Sequence, residues 1–389
     1  MSLLAGVLAL VAGLGLVQCL AGWAAVIRFV AARAPAPGQL PPVTILKPLC
    51  GDEPLLADAL LSACRQIYPV FQIVFGVRDA ADPALGLVRD LKNKFPERDI
   101  AVVVNPTVHG RNRKVANLIN MLPSARYDVL VFSDSDLHLA PDYLERLVAA
   151  LEKPNTGLVS TLYVGRPARR RWAPQLGAAQ INYSFLPGAL LARALGRQDC
   201  LGNTMALHRR TLERCGGLRA LVDHVADDNV LGQRVAALGL GVDIADTVTA
   251  ATVPEPTWTA MWQHEMRWMR TIRALVPVSF GISAIQYPFC WALLACILAH
   301  GALPYVMLLG LAWAVRAAAA WGIDRALKPK LAPLGLAPAA PVWLLPFRDV
   351  LSVVEIIASY CSSQVVWRGM TMRADNGVAV YPAVAHPKH

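Results

Sequence analysis

The architecture this sequence predicts is an α/β domain built on a mostly parallel sheet and flanked on both sides by helices that cross a membrane. Three observations carry that reading. Residues 43 to about 260 alternate short apolar strands with helically spaced segments, the pattern of a parallel sheet covered by helices on both faces. Residues 1–27 hold no charged side chain, and 274–315 hold no Asp, Glu, Lys or Arg; each run exceeds the roughly 20 apolar residues needed to cross a bilayer. Finally, the 389-residue chain is 55% hydrophobic and 16% charged, too apolar for an ordinary soluble protein of its size.

Taken in order, residues 1–32 read as an N-terminal transmembrane anchor. A signal peptide would need a basic segment ahead of its apolar core, whereas the first cations here, Arg28 and Arg33, come after it. Positive charge on the downstream side puts that side in the cytosol. Residues 33–42, with "APAPGQLPP", form a short stiff linker. Within 43–260, "VTILKPL" (43–49) is a buried strand, 52–66 a helix and "QIVFGVRD" (72–79) a second strand. A helix follows near 83–95, then the strand "DIAVVVN" (99–105), a helix near 113–122 and the apolar strand from Val129 to Phe132.

Residues 261–280 have the aromatic and basic character of a helix lying on headgroups, with Trp258, Trp262, Trp268, Arg267, Arg270 and Arg273 in or beside them. The charge-free run 274–315 is long enough for two helices joined by a turn near His300, Gly301 and Pro304. About one more span is expected at 350–367, carrying Glu355, an acid that lipid disfavours and that should face other helices or a wet cavity. Residues 281–370 thus hold the C-terminal transmembrane helices and 371–389 a tail. Whether 331–347 crosses, re-enters or lies on the surface stays open.

The formal net charge of +10 accompanies no nucleic-acid motif and suits an anionic membrane surface, as does the "RPARRRW" run at 166–172. The eight cysteines are scattered without a CxxC pair and read as reduced thiols. Cys200 reads as a packed residue, because no general base stands beside it. Walker A, HExxH and GxSxG motifs are absent.

"FSDSD" at 132–136 ends the fourth strand in two carboxylates. In open α/β sheets ligands sit beyond the carboxyl ends of strands, where both Asp79 and Asp134 fall. Asp134 and Asp136 can hold a hard divalent cation, Mg²⁺ or Mn²⁺, completed by a diphosphate. They can equally cap the helix that starts near Pro141.

Several ordered motifs accompany the pair: "KPLCGDEP", "VRDAADPA", "NRKVANLINM", "QDCLGNTMALHRRTL", "CGGL", "ADDNVLG" and "HEMRWMRTIR". With them the chain resembles the inverting GT-A glycosyltransferases of family 2 type, more narrowly the ceramide glucosyltransferases, and most narrowly the bacterial hopanoid-biosynthesis-associated glycosyltransferases. The GT-A fold is Rossmann-like. The resemblance implies that Asp79 holds the nucleotide base, that Lys114 lies near the diphosphate and that Asp134 and Asp136 hold the metal. It makes Asp228 the base that activates the acceptor, with the side chain of Asp227 turned elsewhere. Of the family's (Q/R)xxRW motif, Arg267 and Trp268 are kept and His264 replaces the first residue, so these three are nucleotide-sugar-binding candidates. Alternative readings are a turn for Asp79 and a solvated basic loop for Lys114.

The expected activity is transfer of a sugar, N-acetylglucosamine, from a UDP-sugar to a hydroxyl of a hopanoid, bacteriohopanetetrol. The alternatives are glucosyl transfer to ceramide and a catalytically silent membrane scaffold. The resemblance implies an integral protein of a bacterial inner membrane, with its catalytic domain in the cytosol and no nucleic-acid partner.

Overall fold

The computed structural model describes residues 3–32, 37–337, 340–367 and 370–374; residues 33–36 of the expected linker and 375–389 of the expected tail lie outside them. At its centre is one eight-stranded sheet. The strands are β1 (Val43–Pro48), β2 (Phe71–Val77), β3 (Asp99–Val104), β4 (Val129–Ser133), β5 (Leu137–His138), β6 (Thr156–Pro167), β7 (Thr204–His208) and β8 (Gly241–Val253). Their order across the sheet is β3-β2-β1-β4-β7-β6-β8-β5. The half from β3 to β4 is wholly parallel, as is the β6–β8 pair. β7 is antiparallel to both β4 and β6, and β5 is antiparallel to β8.

Burial of both sheet faces explains why the central strands read as continuous apolar runs. Ile45, Ile73, Phe75 and Val131 pack with Leu56 and Leu60 of helix Leu56–Cys64 and with Val88 of helix Ala84–Lys94. Their chain neighbours Leu46, Val74, Leu130 and Phe132 pack on the other face with Val115, Leu118 and Met121 of helix Arg113–Met121. β3 leaves Val102 and Val104 exposed on alternate residues, the period-2 pattern of a strand with one open face. The elements expected up to Val129 all form, their ends moved by at most a few residues.

Among the described residues two helices are long and apolar enough to cross a membrane, Leu3–Ala31 and Leu303–Leu334, and the pair Pro277–Gln286 and Pro288–Leu298, bent by 68°, makes a third if taken as one span. The protein is therefore membrane-associated. The N-terminal helix packs on the others through small residues, with Ala5 beside Ala295 and Tyr305, and Ala12 beside Ala292 and Ala312. Gly15 and Gly22 admit Pro288 and Pro187 so closely that a Cβ on either would touch them.

The remaining elements differ from expectation in informative ways. The amphipathic helix runs Trp258–Leu275 and stops before Pro277, which begins the bent pair. Beyond Leu331 the chain runs back alongside its own helix, Val342 accepting a hydrogen bond from Trp313 Nε1 at 3.0 Å. The span expected at 350–367 does not form. Its helix, Leu345–Ser359, has 15 residues, fewer than a bilayer needs, and Gln364–Trp367 instead pairs antiparallel with Met370–Arg373. The polar face of that helix is the reason. Arg348 and Glu355 are fully buried and bonded to each other, and Arg348 Nη1 meets Glu265 Oε2 of the amphipathic helix at 2.9 Å. Asp349 meets Arg316 at 2.8 Å.

Candidate active site

The site begins where β4 ends. Asp134 and Asp136 lie in the loop between β4 and β5, anchored by backbone bonds: Asp134 N donates to Asn203 O at 3.1 Å and Thr252 N to Asp136 O at 3.3 Å. Beneath them the ammonium of Lys47, fully buried in β1, donates to Ser133 Oγ at 2.9 Å and to Asp134 O at 2.6 Å. Burial drives Lys47 down to about 8, with Asp136, Asp134 and Glu53 pulling the other way. Glu53 accepts from Ser135 Oγ at 2.6 Å. Burial pushes Asp136 up to about 7, helped by the negative charges of Asp134 and Glu53.

Acids forced together in this way are what a hard dication relieves. Their oxygen donors fit Mg²⁺ or Mn²⁺. Among the described residues no three His, Cys, Asp or Glu side chains form a closed ligand set, so oxygens of a bound diphosphate would complete the shell. The capping alternative for this pair fails: the helix that follows, Tyr143–Leu151, has Asp142 at its start and no side-chain cap.

Lys114 joins the two sides of the site. Its Nζ is 2.6 Å from Asp134 Oδ1, 3.9 Å from Asp227 Oδ2 and 3.2 Å from Gly202 O. Burial alone would lower its pKa, but the charges of Asp134 and Asp227 reverse the effect and hold it above the usual range. It is a fixed cation and not part of a solvated loop. Helix Asp227–Ala237 opens with the paired acids. Asp227 is buried, accepts from Asn112 Nδ2 at 3.2 Å and faces Lys114. Asp228 lies instead against Gly202 and accepts from Asn229 N at 2.8 Å. Burial, then the charge of Asp227, raises Asp228 to about 7. The neighbouring acids thus diverge, Asp228 toward Gly202 and Asp227 toward Lys114.

Asp79 stands apart, exposed beyond β2, and accepts from Ala81 N at 2.9 Å, the turn geometry. It also lines an open groove of about 510 Å³ with Arg78, Ala80, Val104 and Pro106 at the ends of β2 and β3. His264 and Trp268, one turn apart on the amphipathic helix, meet edge to face with ring centres 4.5 Å apart. Trp268 packs against the core cluster that includes Tyr163 and Leu137, the residue after Asp136, which ties that helix to the acidic loop.

The sequence profile described as Glycosyl transferase family 21 matches residues 4–380. The chain belongs to this family. Among curated relatives, ceramide glucosyltransferase from Komagataella phaffii is 35% identical over 123 residues, covering 31% of this chain and 24% of that protein. Ceramide glucosyltransferase 1 from Caenorhabditis elegans is 22% identical over 247 residues, covering 64% of this chain and 53% of that protein. The matches thus span about half or less of those relatives. The solved mannosyltransferase PcManGT from Pyrobaculum calidifontis, in complex with GDP-Man and Mn²⁺, superposes with a TM-score of 0.51 at 22% identity, covering 92% of this chain and 98% of that one. That likeness bears on the GT-A fold.

The expected hopanoid affiliation, and with it N-acetylglucosamine transfer to bacteriohopanetetrol, is corrected by these findings: the family profile and the curated relatives point to the ceramide glucosyltransferases. The residues of the quoted motifs do not distinguish one acceptor lipid from another. Sequence reasoning also passed over Lys47, Glu53, Asn112, Gly202 and Glu255 as individuals. The first two sat in the quoted "KPLCGDEP", where a lysine inside an apolar strand was the available signal. Cys200 is packed, and burial pushes its thiol well above the ordinary value.

Proposed function

We propose that this family 21 protein is an inverting glycosyltransferase that moves a glucosyl group from UDP-glucose to the hydroxyl of a ceramide-type lipid at the cytosolic face of a membrane. The observation that carries the reading is Lys114 held between the Asp134 and Asp227 carboxylates, with Asp228 beside it against Gly202. A fixed cation and a metal-ready acid pair on one side, with a carboxylate raised to about 7 on the other, are what glycosyl transfer from a nucleotide needs. The lipid acceptor is supported by the membrane helices and by the kinship with ceramide glucosyltransferases.

In this reading Asp79 binds the uracil end in its groove, while Lys114, His264, Arg267 and Trp268 orient the diphosphate. Asp134 and Asp136 would hold a Mg²⁺ or Mn²⁺ ion, which would supply charge neutralisation for the leaving diphosphate. Asp228 accepts the proton of the lipid hydroxyl as that oxygen attacks the anomeric carbon opposite the leaving group, so configuration inverts. Asp227 keeps Lys114 in place.

The test is incubation of reconstituted protein with UDP-glucose, Mn²⁺ and ceramide, with mass spectrometry of the lipid extract. A β-hexosylceramide is expected. Donor turnover without any glycosylated ceramide would overturn the acceptor, and absence of all donor transfer or hydrolysis would leave a membrane scaffold.

A further inference from the structure

His264 has a partner that the sequence motif does not contain. Its Nδ1 is hydrogen-bonded to Glu255 Oε1, and Glu255 is only 8% exposed. A carboxylate on Nδ1 fixes the ring's orientation and leaves Nε2 as its working atom. That Nε2 is buried and has no hydrogen-bond partner among the described residues, a cost that a folded protein accepts where a ligand atom is to arrive. The edge of the Trp268 ring system against His264 restricts the imidazole further.

The place of this pair within the fold says what that ligand is. Glu255 follows β8 by two residues, and three residues earlier Thr252 donates its N–H to Asp136 O at 3.3 Å. Three residues of extended chain span at most about 11 Å, so Glu255 lies at the edge of the acidic cluster. Arg267 follows His264 by one helical turn, on the neighbouring part of the same helix face. A histidine polarised by a carboxylate, next to an arginine and a short way from a cation-binding acid pair, is a phosphate-oxygen site.

We propose that Glu255 is a positioning residue: it holds His264 so that Nε2–H donates to a diphosphate oxygen of the nucleotide donor. Glu255 touches no substrate itself. The assignment rests on the nucleotide-sugar reading given above.

The experiment is titration of UDP, with Mn²⁺ present, into the full-length detergent-solubilised protein, alongside steady-state kinetics. Glu255→Gln, which keeps the shape and removes the charge, should weaken UDP about tenfold and raise the donor KM by a similar factor. In a His264→Gln background the same change should alter UDP affinity less than twofold, because the group it positions is gone. If Glu255→Gln fails to fold, Glu255→Asp carries the same pair of expectations, since it draws the carboxylate back by one methylene. Unchanged UDP affinity with wild-type transfer rates, or an equal loss in both backgrounds, would overturn the proposal alone and reduce Glu255 to a structural residue. A wild-type protein that binds no UDP would overturn the donor reading together with it.

Discussion

Gly202 offers a direct test of where the acceptor base must sit. A Cβ placed on it would lie 2.6 Å from Asp228 Oδ2 and 3.0 Å from Asp228 Cγ. An ordinary carbon–oxygen contact needs about 3.2 Å or more, so Gly202→Ala must displace the carboxylate by about 0.6 Å, which near-attack geometry does not tolerate: misplacement of about 1 Å can cost ~100-fold. We therefore expect kcat to fall by roughly 10- to 100-fold. The obstructing atoms belong to the far end of a side chain, and Gly202 is not among the residues with positive φ. Stability should accordingly change by only about 1 kcal/mol. The assay is glucosyl transfer to ceramide in nanodiscs beside a thermal unfolding curve, with UDP binding as a control that should move little. A Gly202→Ala protein with full kcat would refute the assignment of Asp228 as the base held against this glycine.

Chelation should abolish transfer. At a hundredfold excess over its Kd, Mn²⁺ should stabilise the wild-type protein by about 2.7 kcal/mol, measured as a rise in thermal midpoint that Asp134→Ala loses. Asp228→Asn should bind UDP normally and lose on the order of 10²- to 10⁴-fold in kcat; a two- or threefold loss would move the role to another group. Because burial and Asp227 raise Asp228 to about 7, and a base works in its deprotonated form, kcat/KM should climb with pH up to about 7 and level off above it, a limb that Asp228→Asn flattens. Arg348→Met should destabilise the protein by about 3–5 kcal/mol, seen in denaturant unfolding, by leaving Glu265 and Glu355 buried without their cation.

The parallel half of the sheet was legible because its signals are local: apolar runs such as Val129 to Phe132, and acids placed just beyond them. The antiparallel insertion of β7 was not, since nothing in "TMALH" states which strands it enters between. Asp228 and Lys114 were singled out through motif order, but their meeting around Gly202 depends on a contact between Lys114 and Gly202, 88 residues apart, that no local pattern states. Glu255 was missed because its meaning lies in a hydrogen bond to a residue nine positions on, across a break between strand and helix. In the membrane region the sequence located the apolar stretches and the turn near His300 and Gly301, and could not say how the stretch before that turn bends. The 68° turn at Tyr287 and the fifteen-residue helix with Arg348 follow from side-chain partners that hydropathy averages away.

The small-residue seam of the N-terminal helix bears on how the polypeptide is made. Ala5, Ala12, Gly15 and Gly22 meet Ala295, Ala292, Pro288 and Pro187, and Gly322 lies against Trp23. The N-terminal helix therefore waits for most of its neighbours until nearly three hundred further residues have been synthesised. The sheet domain grows meanwhile as a loop tethered at its beginning, and the later helices close that loop by docking on the waiting one. Two polypeptides divided in the exposed segment around Gly38 should accordingly find each other again in a bilayer, the seam acting as the clasp that reunites anchor and enzyme.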